Sequence, residues 1–270
     1  MAAYPEPIDP NRPELILVLK NGIDIDTQSG QLESPTTDVG SVKSALDQYG
    51  ATVSLLFGPS QERIRRGARE LPPSSDDNQY ELAAFYQVHA PLENLEDLAS
   101  DLVAVQHLVD AAYVKPPAMP AIFSTGPAST EAPPITPNFV NSQGYLNPAT
   151  GGIGAITDPA NPFGQGMDIR IVDCEWGWRF THEDLLEFQG GIIAGTNGND
   201  TNHGTAVAGV IGGDHNTFGV SGIAPRALFY ASSFNDQLTS VAIAKATDKL
   251  RRGDIILIEA HRAGPKSNGQ

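Results

Sequence analysis

The chain has 270 residues, 40% of them hydrophobic, so it can bury a sizeable core and is not globally disordered. Its net charge of −15 excludes sequence-independent binding to nucleic acid, which needs clustered Lys and Arg to replace phosphate counterions. The single cysteine, Cys174, excludes an intrachain disulfide framework, and no run reaches the roughly 18 apolar residues of a membrane span.

Residues 1–13 are Pro-rich and read as extended. They carry no basic stretch ahead of an apolar run, so the N-terminus does not read as a signal peptide. The short apolar run Glu14–Lys20 predicts a buried strand. Val39–Tyr49 has apolar positions at helical spacing, with Gly50 placed as a C-terminal stop. Ala51–Phe57 is a second strand, and the polar, Pro-containing stretch Gly67–Asn78 is a loop. Tyr80–Val88 reads as a third strand. Leu92–Val109 follows as a helix with Asn94 at its N-cap, and Ala111–Val114 closes the unit as a fourth strand. The order β-α-β-β-α-β is that of a small α+β, ferredoxin-like unit over residues 1–115. Residues 116–137 hold seven prolines and read as an exposed linker.

From Met167 the pattern changes to alternating strands and helices. Residues 167–174 form a strand, and Gly191–Ala194 reads as another. A helix covers Gly204–Ile211, and a strand follows over Ala227–Ser232. Thr239–Leu250 is a helix followed by Arg251 and Arg252, which suit its C-terminal dipole. Asp254–Ala260 is a near-continuous apolar strand. This alternation predicts an α/β domain over residues 138–270, with a parallel sheet flanked by helices. Functional groups in such sheets gather beyond the carboxyl ends of the strands.

Two residues stand out there. Asp173 ends the apolar strand IRIVDC, and His203 heads the small-residue helix HGTAVAG, thirty residues later. A buried carboxylate that accepts from one imidazole nitrogen fixes the tautomer, and the other nitrogen can then take a proton from a hydroxyl. The stretches IRIVDCEWG with THEDL, NHGTAVAGVIGG and FGVSGIAP together resemble the subtilisin-like serine proteases, the subtilases, from about Asn138 to Gly264. The resemblance implies peptide-bond hydrolysis through an acyl-enzyme, with Asp173 as orienting acid and His203 as general base. It also implies that the ferredoxin-like unit is a propeptide that assists folding and inhibits the protease until cut, with the cut expected between Lys115 and Pro137. An extracellular site is favoured by the resemblance alone.

The family nucleophile lies in a Gly-Thr-Ser segment that this sequence does not contain. Ser221, Ser232, Ser233, Ser240 and Ser267 all stand in other contexts, and Asn268 lies too near its neighbouring strand to serve an oxyanion hole. The chain by itself is therefore expected to be inactive, since loss of the nucleophile removes nearly all triad catalysis. The expected partners are a peptide or protein substrate and the chain's own propeptide, with no nucleic acid and no membrane. The segment DIILIEAHRAGP matches the family strand that pairs with substrate backbone, through Glu259, Ala260 and His261. No cofactor is expected for the chemistry. A structural Ca²⁺ is implied at Asp184 and the loop residues Asp214, Asn216, Phe218 and Val220. Trp176 and Trp178 are expected to pack the loop after Asp173, and Cys174 to be a small buried residue. The alternative reading is a non-catalytic protein, in which a subtilase-like half-domain serves binding or assembly.

Overall fold

A computed structural model describes residues 12–23, 25, 32, 34, 37–61, 63–64, 82–120, 136–155 and 162–263. The loop expected at Gly67–Asn78 and most of the Pro-rich stretch lie outside the described residues. The chain divides into two compact units, one formed by residues 1–118 with 262–270 and the other by residues 119–261.

The first unit is built on a four-stranded sheet. Its strands are β1 (Glu14–Leu19), β2 (Thr52–Leu55), β3 (Phe85–His89) and β4 (Val109–Lys115). They lie in the order β2-β3-β1-β4, and every neighbouring pair is antiparallel. The central position of β1 explains its unbroken apolar run. Leu15, Leu17 and Leu19 face the main core, while Ile16 and Val18 face a smaller cluster with Leu56. Helices α1 (Gly40–Gln48) and α2 (Leu95–Ala104) cover the main core through Val42, Leu46, Leu98 and Leu102.

Several boundaries differ from the sequence reading. The strand expected from Tyr80 begins at Phe85, because Leu82–Ala84 forms a 3-10 turn. Asn94 stands at the N-cap position of α2 but makes no side-chain capping bond. A 3-10 turn over Leu92–Asn94 runs directly into the helix instead. That helix stops at Ala104 rather than near Val109, where the closing strand already begins. Gly50, at φ +60°, ends α1 as expected.

The second unit contains a parallel sheet of β6 (Arg170–Glu175), β7 (Gln189–Ala194), β8 (Leu228–Ser233) and β9 (Ile255–Ile258). Their order is β7-β8-β6-β9, so β6 is central. Helix α3 (Asn202–Gly212) covers one face and α4 (Thr239–Lys249) the other. The period-two alternation of a strand sorts the core between them. Ile171, Phe229 and Ala231 share a cluster with Ala208 of α3. Val172, Cys174 and Tyr230 share one with Ala242 and Ala246 of α4. Odd-numbered residues of β6 therefore face α3, a fact that decides which carboxylates can reach His203.

A two-stranded antiparallel pair completes this unit. Strand β5 (Met119–Pro120) pairs with β10 (Ala260–His261), with Ala260 opposite Pro120 and His261 opposite Met119. The start of the segment expected to be an exposed linker is thus a strand.

Candidate active site

Glu175 is the last residue of β6, and its side chain points toward the start of α3. Its Oε2 lies 2.5 Å from Nδ1 of His203. Its other carboxylate oxygen, Oε1, accepts the N–H of Trp176 at 2.8 Å. The glutamate side chain is 3% exposed and the histidine 13%. Burial raises the Glu175 pKa, opposed by the Trp176 N–H and by His203.

Asp173 does not meet His203. Its Oδ2 accepts the indole N–H of Trp178 at 2.8 Å, and both residues are buried. The sequence assigned the imidazole bond to Asp173, and the geometry gives it to Glu175. The reason is the strand itself. Asp173 and Glu175 share the α3 face, and two residues of strand advance the chain by about 6.6 Å. His203 sits beyond the strand end, within reach of the farther residue and its longer side chain. Asp173 is buried beside Glu175 and Glu259, and desolvation pushes its pKa up to about 7 against the pull of the Trp178 N–H.

His203 lies in the first turn of α3, which begins one residue earlier than its own position. The turn is held against the loop after β6. Trp178 N–H donates to Asn197 Oδ1 at 2.8 Å, and Asn197 Nδ2 returns a bond to the Trp178 carbonyl at 2.8 Å. Arg179 N–H donates to Thr205 Oγ1 at 2.9 Å. Gly204 allows this close approach, because a Cβ there would meet the Gly177 carbonyl at 2.4 Å and Trp178 Nε1 at 2.8 Å. Trp178 and the half-buried Trp176 both pack, the latter edge-on to Phe234 with centroids 5.0 Å apart. Cys174 is buried on the opposite face, its thiol pKa pushed up to about 12 by desolvation.

Two described serines near these elements have their hydroxyls committed elsewhere. Ser232 Oγ donates to the Ala242 carbonyl and Ser233 Oγ to the Trp176 carbonyl, at 2.8 and 2.9 Å. Ser221 is buried, and its backbone N–H donates to Gln143 Oε1. Of the expected substrate strand, Ala260 and His261 form β10, while Glu259 N–H bonds the Cys174 carbonyl.

The residues expected to hold calcium do come together. Asp184 Oδ1 accepts Asn216 Nδ2 and Oδ2 accepts the Val220 N–H, both at 3.0 Å. Asn216 Oδ1 is taken by the Phe218 N–H. Asp214 turns away to accept the N–H groups of Leu186 and Glu187. Gly219, at φ +59°, folds over the carboxylate so closely that a Cβ would overlap it. The Asp184 carboxylate accepts one N–H donor on each oxygen, whereas Ca²⁺ takes six to eight oxygens. The residues as arranged do not fit the ion.

The profile of the Subtilase family matches residues 183–258. This stretch of the chain is similar to the subtilase family. It contains His203, the loop around Asp184 and three of the four parallel strands, while Glu175 and Asp173 lie before it. Over 76 residues the chain is 40% identical to the minor extracellular protease Epr of Bacillus subtilis (strain 168). That match covers 27% of this chain and 12% of the relative, so the chain spans a small part of that protein's length. Subtilases are serine peptidases, and a mixed α/β unit with a parallel sheet is compatible with their catalytic domain.

Proposed function

We propose that the second unit carries the acid and base of a subtilisin-like serine endopeptidase, and that the acid is Glu175. The observation that carries this reading is the 2.5 Å contact between Glu175 Oε2 and His203 Nδ1. With Nδ1–H donating to the carboxylate, Nε2 is the nitrogen that would take a proton from a serine hydroxyl. The carboxylate also stabilises the imidazolium formed when that proton arrives. Glu175 is fixed for the task by its second oxygen on the Trp176 N–H. His203 is fixed by the tight seat of Gly204.

We assign the nucleophile to none of the described serines. Ser232 and Ser233, near the site, spend their hydroxyls on backbone carbonyls. The chain alone is therefore expected to be inert toward casein and unlabelled by a fluorophosphonate. Specific labelling that disappears in His203→Ala would overturn that expectation. If an in-frame Gly-Thr-Ser segment follows residue 270, the longer product should hydrolyse casein. In that product His203→Ala and Glu175→Gln should each lose on the order of 10³-fold or more in turnover. Full activity in both variants would sink the assignment.

The first unit is proposed to act as the propeptide of this peptidase. Its β-α-β-β-α-β order and antiparallel sheet support that reading. The antiparallel pairing of Met119–Pro120 with Ala260–His261 supports a groove that takes extended peptide by strand addition. Sequencing the N-terminus of an active product tests the cut. A product still beginning at Met1 would remove the propeptide role.

A further inference from the structure

Asp173 is left without a catalytic task once Glu175 holds the imidazole, yet it is a fully buried carboxyl on the central strand. We propose that Asp173 is a positioning residue for the base, acting through Trp178 to set the seat of the helix start that carries His203. This rests on the reading of Glu175 and His203 as the acid–base pair.

The path is continuous. Asp173 Oδ2 holds the Trp178 indole N–H at 2.8 Å. The same indole edge, Nε1 with Cδ1, lies within 2.9 Å of where a Gly204 Cβ would stand. Gly204 is the residue after His203. The backbone of Trp178 is clamped on both sides by Asn197. Arg179 then reaches Thr205, whose hydroxyl donates to the Thr201 carbonyl within the same turn of α3. Loop and helix start thus form one bracket, and the Asp173–indole bond ties that bracket to β6, the strand that also presents Glu175. A shift of the indole would shift Gly204, and with it the Nδ1-to-carboxylate contact.

The group facing Asp173 from the loop is an N–H donor, not a cation. Glu175 on its own strand and Glu259 beyond β9 are the charges that act on it, and both are negative. A neutral acceptor at position 173 would therefore serve the indole as well as an aspartate.

The test is proton NMR of the full chain with nitrogen-labelled histidine and tryptophan. The readouts are the exchange-protected, low-field Nδ1–H signal of His203 and the indole N–H of Trp178. Asp173→Asn, which keeps an acceptor oxygen, should leave both signals in place. Asp173→Ala should move the indole signal and make the His203 Nδ1–H exchange at least about tenfold faster. Trp178→Phe keeps a ring in the same space and removes the donor, so it should weaken the His203 signal in the same way. It decides the matter if the alanine variant does not fold. A folded Asp173→Ala or Trp178→Phe protein with an unchanged His203 signal would overturn the proposal, as would an asparagine variant that behaves like alanine. Glu175→Gln is the control for the underlying reading. If it leaves the His203 signal intact, the acid–base assignment fails first. If it abolishes the signal while Asp173→Ala does not, the positioning role alone fails.

Discussion

Glu175 closes the central strand of the second unit with its Oε2 atom 2.5 Å from Nδ1 of His203. Asp173, two residues earlier on the same face, holds an indole N–H instead. One strand therefore presents two buried carboxyl groups with different partners.

The first prediction concerns pH. Burial raises the Asp173 pKa from 3.8 to about 7. Between those values the folded chain keeps a proton that the unfolded chain has released. Stability from this group therefore falls as pH rises, and the loss is complete above the folded value, on the order of 4 kcal/mol at most. Urea unfolding should show a larger gain in stability from about pH 8 to about pH 5 for the native chain than for Asp173→Asn. Parallel pH profiles for the two proteins would contradict it.

Gly204 offers a steric test. An alanine there would drive its Cβ into the Gly177 carbonyl and the Trp178 ring. Gly204→Ala should cost about 1–3 kcal/mol and lower the thermal midpoint by several degrees. A midpoint equal to that of the native chain would show that the bracket is looser than described.

The loop around Asp184 gives a third. Its carboxylate is satisfied by the N–H groups of Val220 and Asn216. Adding Ca²⁺ or EDTA should therefore leave the melting temperature unchanged. Asp184→Ala should destabilise by roughly 2–4 kcal/mol, through two charge-assisted bonds lost from a buried loop. A midpoint that rises with added Ca²⁺ would restore the cation site that the family resemblance implies.

The architecture of the second unit was legible in the sequence because its strands are short apolar runs separated by helical patterns. The alternation of Ile171, Val172 and Cys174 places the two helices on opposite faces, as a parallel sheet requires. The acid was not legible for a related reason. The apolar run fades after Val172, so the strand seemed to end at Asp173 and Cys174. Backbone pairing continues to Glu175, which stands opposite Ser233. Hydrophobicity marks where a strand is buried, but the ladder of N–H and carbonyl groups decides where it ends. Period two puts both carboxylates on one face, and residue type alone does not choose between them. The signal that could have chosen was position, since functional groups gather at the strand's true carboxyl end. Asn94 shows the same limit at a helix start. Its residue type suits a cap, but the preceding 3-10 turn leaves its side chain no such bond.

The most direct measurement is the His203 Nδ1–H signal in Glu175→Gln compared with Asp173→Asn, in the full chain at neutral pH. Loss or a large upfield move of that signal in the glutamine variant, with the asparagine variant unchanged, is the predicted result. The reverse pattern, with the signal kept in Glu175→Gln and lost in Asp173→Asn, would return the orienting role to Asp173 and contradict the account.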